Sequence, residues 1–278
     1  MPHNDTDTDT APDTDTAPET VPAPHRPDGP PRLTRLTFHG PLSQARAAGL
    51  VRRLAGTAPA PATVLDLGCG WGELMLRVLE AVPGARGTGV DLNAEDLSRG
   101  RRGATARGLD HRVEFVEESA ARTARGPADL VLCLGASHAL SAAEPPRYTD
   151  EALSALRRLV TDDGRVLLGE GFWQRAPSPA ELSGMWPDAS ADEHYDLAGL
   201  VDAAVRAGFR PEWTETASLD EWEEFESAYQ ADAEVWLAGH GDHPLAAETR
   251  ERLDRHRAQW MNYRGVLGYA YLTLVPVR

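Results

Sequence analysis

The chain has no lysine among its 278 residues, so arginine supplies every strong base. That absence removes whole chemistries: a P-loop lysine reaching nucleotide phosphates, a Schiff-base lysine and a lysine general base. Cysteine is nearly absent too. Cys69 and Cys133 are the two present, and each falls in an apolar stretch that reads as a buried strand end. This excludes a disulfide framework and makes a reducing, cytoplasmic setting the expectation. No apolar run approaches the roughly 18–20 residues that cross a bilayer, so no membrane association is expected. The N-terminus carries no basic segment followed by an apolar one, so no signal peptide is expected. Positive charge is scarce against negative. Of the formal net charge of −15, residues 1–30 contribute −6 and the remainder −9. An acidic body is a poor partner for phosphate backbones, and nucleic acid is not an expected partner.

Residues 1–30 consist of Asp, Thr, Pro and Ala repeats with almost no large apolar side chains. Such a segment cannot bury enough surface to offset its ordering entropy, and a disordered acidic tail is expected there. Residues 31–278 read as one domain. From Leu42, Ala45, Leu50 and Leu54 an apolar stripe at helical spacing begins. Strand patterns follow at Thr63–Leu67, Gly87–Asp91, Val113–Val116, Leu130–Leu134 and Val166–Gly169, with helical patterns at Glu73–Ala81, Ala94–Arg107 and Thr149–Val160 between them. This alternation predicts an α/β fold with a mostly parallel sheet covered on both faces. Two more strands are expected at Arg210–Thr216 and Leu267–Val275. Between them Leu219, Trp222, Phe225, Tyr229, Ala233 and Trp236, then Leu253, His256, Trp260 and Tyr263, recur at helical spacing. Gly239-His240-Gly241 separates the two series as a turn. Residues 217–264 thus predict a helical hairpin inserted before the final strand. Its tryptophans read either as packing on the sheet or as an aromatic lining for a substrate.

The segment Val64-Leu65-Asp66-Leu67-Gly68 is a buried strand running into a glycine-rich turn that opens a helix. Glycines 68, 70 and 72 let the backbone approach a ligand closely, and the free N–H groups of the helix start favour an anion. The dinucleotide fingerprint G-x-G-x-x-G is not met: the third glycine comes one residue early and Glu73 occupies its place. A carboxylate there repels a pyrophosphate. Asp91 ends the second strand nineteen residues after Gly72, near the offset of a carboxylate that binds ribose hydroxyls. The ligand read from these residues is a nucleoside whose other end is not a pyrophosphate.

V-L-D-L-G-C-G-W-G-E followed by G-V-D-L-N is similar to the first motif and the following acidic motif of the class I S-adenosylmethionine (SAM)-dependent methyltransferases. The resemblance implies a Rossmann-like, doubly wound, seven-stranded sheet whose last strand is antiparallel. It implies SAM as cofactor and S-adenosylhomocysteine as product. Asp66 and the backbone of Gly68, Cys69, Gly70 and Gly72 would contact the methionyl part; Asp91, with Leu92 beside it, would bind the ribose. Arg112–Ala120 matches the third-strand motif, except that Glu118-Ser119-Ala120 stands where Gly-Asp-Ala is usual, so Ser119 takes the place of the residue that meets the adenine amino group. Ala128–Gly135 matches the fourth strand, which brings Leu134 and Gly135 to the cofactor, and Asp162–Gly169 matches the turn into the fifth.

The layout also resembles a bacterial group of small-molecule methyltransferases. The segments carrying this likeness are Phe38–Ser43, Gly169–Trp173, Asp220–Glu226 and Arg264–Tyr269. The implied activity is methyl transfer to an oxygen or nitrogen atom of a small molecule, such as a specialised metabolite, by a monomer or homodimer. Two alternatives stay open: a SAM-dependent cyclase or decarboxylase, and a catalytically silent SAM-binding protein. Ligands of an open α/β sheet sit beyond the C-terminal ends of its strands. Three polar residues are expected there as catalytic candidates: His138 after the fourth strand, Glu170 at the end of the fifth and His39 before the first helix. Histidine titrates near neutrality and suits a base. Trp173, Trp186, Tyr195, Tyr229 and Arg264 are candidate substrate contacts. His240 and His243 match no metal-ligand spacing, and no metal is expected.

Overall fold

The computed structural model describes residues 28–278. Apart from its last three residues, the acidic tail lies outside them. Seven strands form one sheet: β1 (Thr63–Leu67), β2 (Arg86–Asp91), β3 (Val113–Glu117), β4 (Ala128–Leu134), β5 (Val160–Trp173), β6 (Phe209–Thr216) and β7 (Leu267–Pro276). Their order is β3-β2-β1-β4-β5-β7-β6. The first five run parallel, and β7 lies antiparallel between β5 and β6. This is the doubly wound sheet expected from the sequence. The order reverses between β1 and β4, so the turns leaving those two strands open the crevice where such sheets bind ligands.

The central strands are apolar because both their faces are covered. On one face α1 (Gln44–Ala55), α2 (Glu73–Ala81) and α3 (Ala94–Ala106) pack Leu50, Leu54, Met75, Leu79 and Leu97 against Leu130, Leu132 and Tyr271. On the other, α4 (Arg147–Leu159) and α6 (Leu197–Arg206) pack Leu153, Leu156 and Leu200 against Leu65, Val131, Leu168 and Leu272. A short helix, α5 (Pro179–Gly184), precedes α6. Neither α5 nor α6 was expected from the sequence; α6 spans ten residues, and its start is fixed by Asp196 accepting the Gly199 N–H at 2.7 Å.

Two long helices, α7 (Leu219–Gly239) and α8 (Ala246–Tyr263), form the hairpin between β6 and β7, turning at the glycine pair as expected. β5 is longer than its sequence pattern. Its last residues, Gly169–Trp173, pair in register with Tyr271–Leu267 of β7. That extension places Glu170 inside the strand, three residues before its end, which corrects the expectation that Glu170 closes it.

Candidate active site

The turn after β1 is built on three left-handed glycines, with φ of 61° at Gly68, 53° at Gly70 and 64° at Gly72. At Gly68 a side chain is excluded twice over, since a Cβ there would stand 2.4 Å from the Ala136 Cβ. The backbone therefore reaches the crevice bare. Asp91, at the tip of β2, holds the turn: its Oδ2 accepts the Gly70 N–H at 2.7 Å and its Oδ1 the Asn93 N–H at 2.8 Å. Each carboxylate oxygen has a second lone pair, so Asp91 keeps capacity for two hydroxyl donors.

Electrostatics define the class of ligand. Asp66 is buried at the end of β1, and that burial, together with the negative charge of Asp91, pushes its pKa up to about 8. Among the described residues no arginine forms a salt bridge with either carboxylate. Two acids left without a basic partner in a crevice favour a ligand that brings positive charge, and such a ligand drives Asp66 back to its carboxylate. Glu73 behaves otherwise. Its carboxylate is paired with Arg77 and Arg107, each at 2.7 Å. Its repulsion of a pyrophosphate is therefore largely cancelled, which leaves Asp66 and Asp91 as the carboxylates of the turn without an arginine partner. Burial pushes the Cys69 thiol far up, so it stays protonated and donates to the Gly70 carbonyl at 3.4 Å.

A strap formed by residues 32–43 crosses the turn. Arg32 bonds Asp96 on α3 at 2.6 Å, and Arg99 reaches the carbonyls of Leu33 and Leu36 at 2.9 and 2.6 Å. The Trp71 indole donates to the Thr37 carbonyl at 2.8 Å while the Arg99 guanidinium lies 3.8 Å from the centroid of its ring. On the far side Asp232 of α7 accepts the Thr34 N–H and hydroxyl at 2.5 and 2.8 Å, and Glu221 accepts the Ser43 hydroxyl at 2.7 Å. Burial alone would raise Glu221, but Arg46, Ser218 and Ser43 outweigh it and hold its pKa down to about 2. The strap thus carries His39 over the glycine turn, where its ring stacks on Trp71 at 5.3 Å. Desolvation by its neighbours lowers the His39 pKa, which keeps the imidazole neutral at pH 7.

Beneath the strap lies a small cavity of about 60 Å³ that opens to solvent. Asp66, Gly68, Cys69 and Leu134 line it among the sequence-predicted cofactor residues, and His39 among the catalytic ones. Asp91, Leu92, Glu118, Ser119 and Gly135 lie outside its lining, at the tips of β2, β3 and β4. Leu92 is exposed there, and Glu118 pairs with Arg125 at 2.9 Å. The site therefore has a closed half over β1 and an open half over β2 and β3. This shape fits SAM, with a small charged methionyl end to enclose and a broad adenosine to lay across strand tips.

The other catalytic candidates sit elsewhere. His138 is exposed on the short turn Ser137–Leu140 that follows β4. Glu170 is buried on the opposite face of β5, where it accepts a short hydrogen bond from the Ser137 hydroxyl and takes the Gly171 N–H at 3.0 Å. Burial pushes its pKa up to about 7 against those two bonds. Of the substrate candidates, Trp173 and Trp186 come together, with centroids 6.3 Å apart, in an aromatic cluster with Trp222, Trp260 and Tyr263. Tyr229 stacks on His256 at 4.9 Å at the cluster's outer side. Tyr195 donates to Asp150 of α4 at 2.7 Å, and Arg264 pairs with Glu223 on the surface, so the fold brings neither to the cavity.

Sequence reasoning missed Phe38, Tyr269 and Tyr271, which also line the cavity, and His194, whose ring packs edge-on to Trp173 at 5.0 Å. Phe38 and Tyr269 each lie at one end of a segment of likeness, Phe38–Ser43 and Arg264–Tyr269, which was the signal available for them.

A family described as a methyltransferase domain matches residues 65–166. The uncharacterized protein YjhP of Escherichia coli (strain K12) is 28% identical over 241 residues, spanning 86% of this chain and 93% of that one. The X-ray structure of E. coli YjhP superposes with a TM-score of 0.73 at 26% identity, covering 88% of this chain and 100% of that one. A SAM-dependent methyltransferase from Thiobacillus denitrificans, in complex with S-adenosyl-L-homocysteine, superposes with a TM-score of 0.74 at 25% identity over 89% of this chain and 99% of that one. With the sheet order, the glycine turn and the unpaired acids of the crevice, these likenesses show a chain that carries a methyltransferase domain and has the fold of the class I SAM-dependent methyltransferases, enzymes that use SAM as methyl donor.

Proposed function

We propose that the chain transfers the SAM methyl group to an oxygen or nitrogen atom of a small molecule, such as a specialised metabolite. The observation that carries this reading is enclosure. The donor cavity is roofed by the strap at Phe38, His39, Gly40 and Leu42 and walled by Tyr269 and Tyr271. Aromatic packing under α7 and α8 continues from Tyr269. A space closed on these sides admits a small molecule and resists a polymer. In this reading residues 217–264 act as a substrate cap on the domain that begins at residue 31.

SAM, when bound, supplies a methyl group already activated by a sulfonium, so the chain's task is to align two reactants and keep water out. Asp66 and the glycine turn would hold the methionyl end, Asp91 with Leu92 the ribose, and Glu118 and Ser119 the adenine, with Leu134 and Gly135 also meeting the cofactor. His39 closes over the donor. Glu170 is best read as a positioning residue, since its bond to Ser137 fixes the turn that presents His138. His138 is then the candidate to orient the acceptor or take its proton.

The test is to incubate the full chain with SAM and mixed small-molecule phenols and amines, and to measure S-adenosylhomocysteine. Its formation with small molecules, and not with peptides or nucleic acid, supports the reading. SAM bound in the presence of a converted acceptor, with no S-adenosylhomocysteine formed, would identify a cyclase or decarboxylase instead.

A further inference from the structure

Three buried side-chain nitrogens lack a hydrogen-bond partner among the described residues: Arg53 Nε, Arg107 Nη1 and Trp222 Nε1. The two arginines are accounted for, because each pairs with a carboxylate through another nitrogen of the same group. Trp222 has no such relief: its single donor is buried with nothing to accept it. The indoles of Trp71, Trp173 and Trp186 all have acceptors, at 2.8, 2.9 and 2.9 Å. An orphaned buried donor costs free energy, and a fold that keeps one invites a ligand that satisfies it.

The position of Trp222 gives that ligand a chemistry. Its ring is stacked with Trp260 at 6.0 Å and stands edge-on to Tyr263 at 6.0 Å and to Tyr269 at 6.3 Å. Tyr269 lines the donor cavity, and a Cβ on Gly169 would lie 2.6 Å from its hydroxyl, which places that hydroxyl over the C-terminal half of β5. The orphaned Trp222 Nε1 and the Tyr269 hydroxyl are thus set in one aromatic wall that begins at the donor cavity.

Resting on the proposed function, we infer that Trp222 is a specificity-determining residue and that the acceptor is a planar aromatic molecule bearing a hydroxyl or carbonyl oxygen. That oxygen accepts the Trp222 indole N–H, the aromatic body lies against the rings under α7, and the Tyr269 hydroxyl meets the polar edge nearest the donor. Because the indole nitrogen is sealed in the closed arrangement, entry requires α7 to shift off the cluster.

The experiment is calorimetry on the full chain saturated with S-adenosylhomocysteine, using naphthol, naphthalene and cyclohexanol as probes, with Trp222→Phe alongside. The expected result is that naphthol binds about fivefold or more tighter than naphthalene, which lacks the oxygen, and than cyclohexanol, which lacks the ring. Trp222→Phe should erase the preference for naphthol over naphthalene while its S-adenosylhomocysteine affinity stays within about twofold of wild type. The wild-type comparison tests the chemistry of the acceptor even if the variant fails to fold, and a folded Trp222→Phe that keeps the preference for naphthol overturns the role of Trp222. Equal binding of the three probes, or no binding of naphthol, overturns the inference and leaves the methyltransferase reading standing. Failure of the wild-type chain to bind S-adenosylhomocysteine overturns both.

Discussion

At Gly68 two constraints meet, a left-handed φ and a neighbour 2.4 Å from where a Cβ would be. Gly68→Ala is expected to lower stability by roughly 2–4 kcal/mol, from the conformational and the steric cost together. Adding Ala136→Gly should return the steric share only. Urea denaturation measures both, and an unchanged midpoint for Gly68→Ala would contradict the geometry of the turn. Glu170 gives a pH-dependent prediction. Its carboxyl titrates near 4.5 when free and at about 7 in the fold, so the unfolded chain loses its proton first as pH rises. The folded state is penalised progressively between those values, and Glu170→Gln removes the penalty. Relative to wild type, the variant should gain stability from about pH 5 to about pH 7.5 and level off above that. Thermal melting across this range checks the sign; a variant that loses ground as pH rises would contradict the buried, protonated state.

The elements around the site are tied together by acids on the buried side of α7. Glu221, Glu226 and Asp232 are all buried. Each meets a donor from elsewhere: Ser43 and Arg46 at Glu221, His256 and Tyr263 at Glu226, Thr34 and Arg35 at Asp232. Hydrophobic periodicity found the helix but not this face of it, because acidic residues on a helix pattern as solvated ones until their partners are known. Those partners at Glu221 and Asp232 lie 178 and 198 residues away in sequence. The strap's place over the glycine turn was beyond local patterning for the same reason. Asp232→Asn removes the charge but keeps the shape, and should loosen the strap on one side. Its expected effect is a threefold to tenfold loss of S-adenosylhomocysteine affinity, about 1 kcal/mol, with little change in melting temperature. Calorimetry showing wild-type affinity would detach the strap from cofactor binding.

Across the whole molecule, what could be read from the sequence was whatever lies within one strand, turn and helix. The strands of the sheet, the glycine turn and the carboxylate closing β2 follow from local pattern and spacing, and the resemblance supplied the antiparallel last strand. The walls of the cavity did not, because Phe38, Trp71, Tyr269 and Tyr271 reach it from three distant stretches of chain. Tyr195 and Arg264 went the other way, since aromatic and basic character alone could not reveal that Asp150 and Glu223 already hold them. The bonds that anchor the strap begin at Arg32, so removing residues 1–27 should leave S-adenosylhomocysteine affinity within about twofold of the full chain. A large loss would mean that the acidic segment takes part in the site.

The central claim, that the crevice at the ends of β1 and β2 binds SAM, is tested most directly at Asp91, which both holds the glycine turn and is assigned the ribose. Titration calorimetry of S-adenosylhomocysteine into wild type and Asp91→Ala should give one site per chain in the first and an affinity at least about tenfold weaker in the second, from the loss of charged hydrogen bonds. Equal affinity in the two proteins would contradict the assignment.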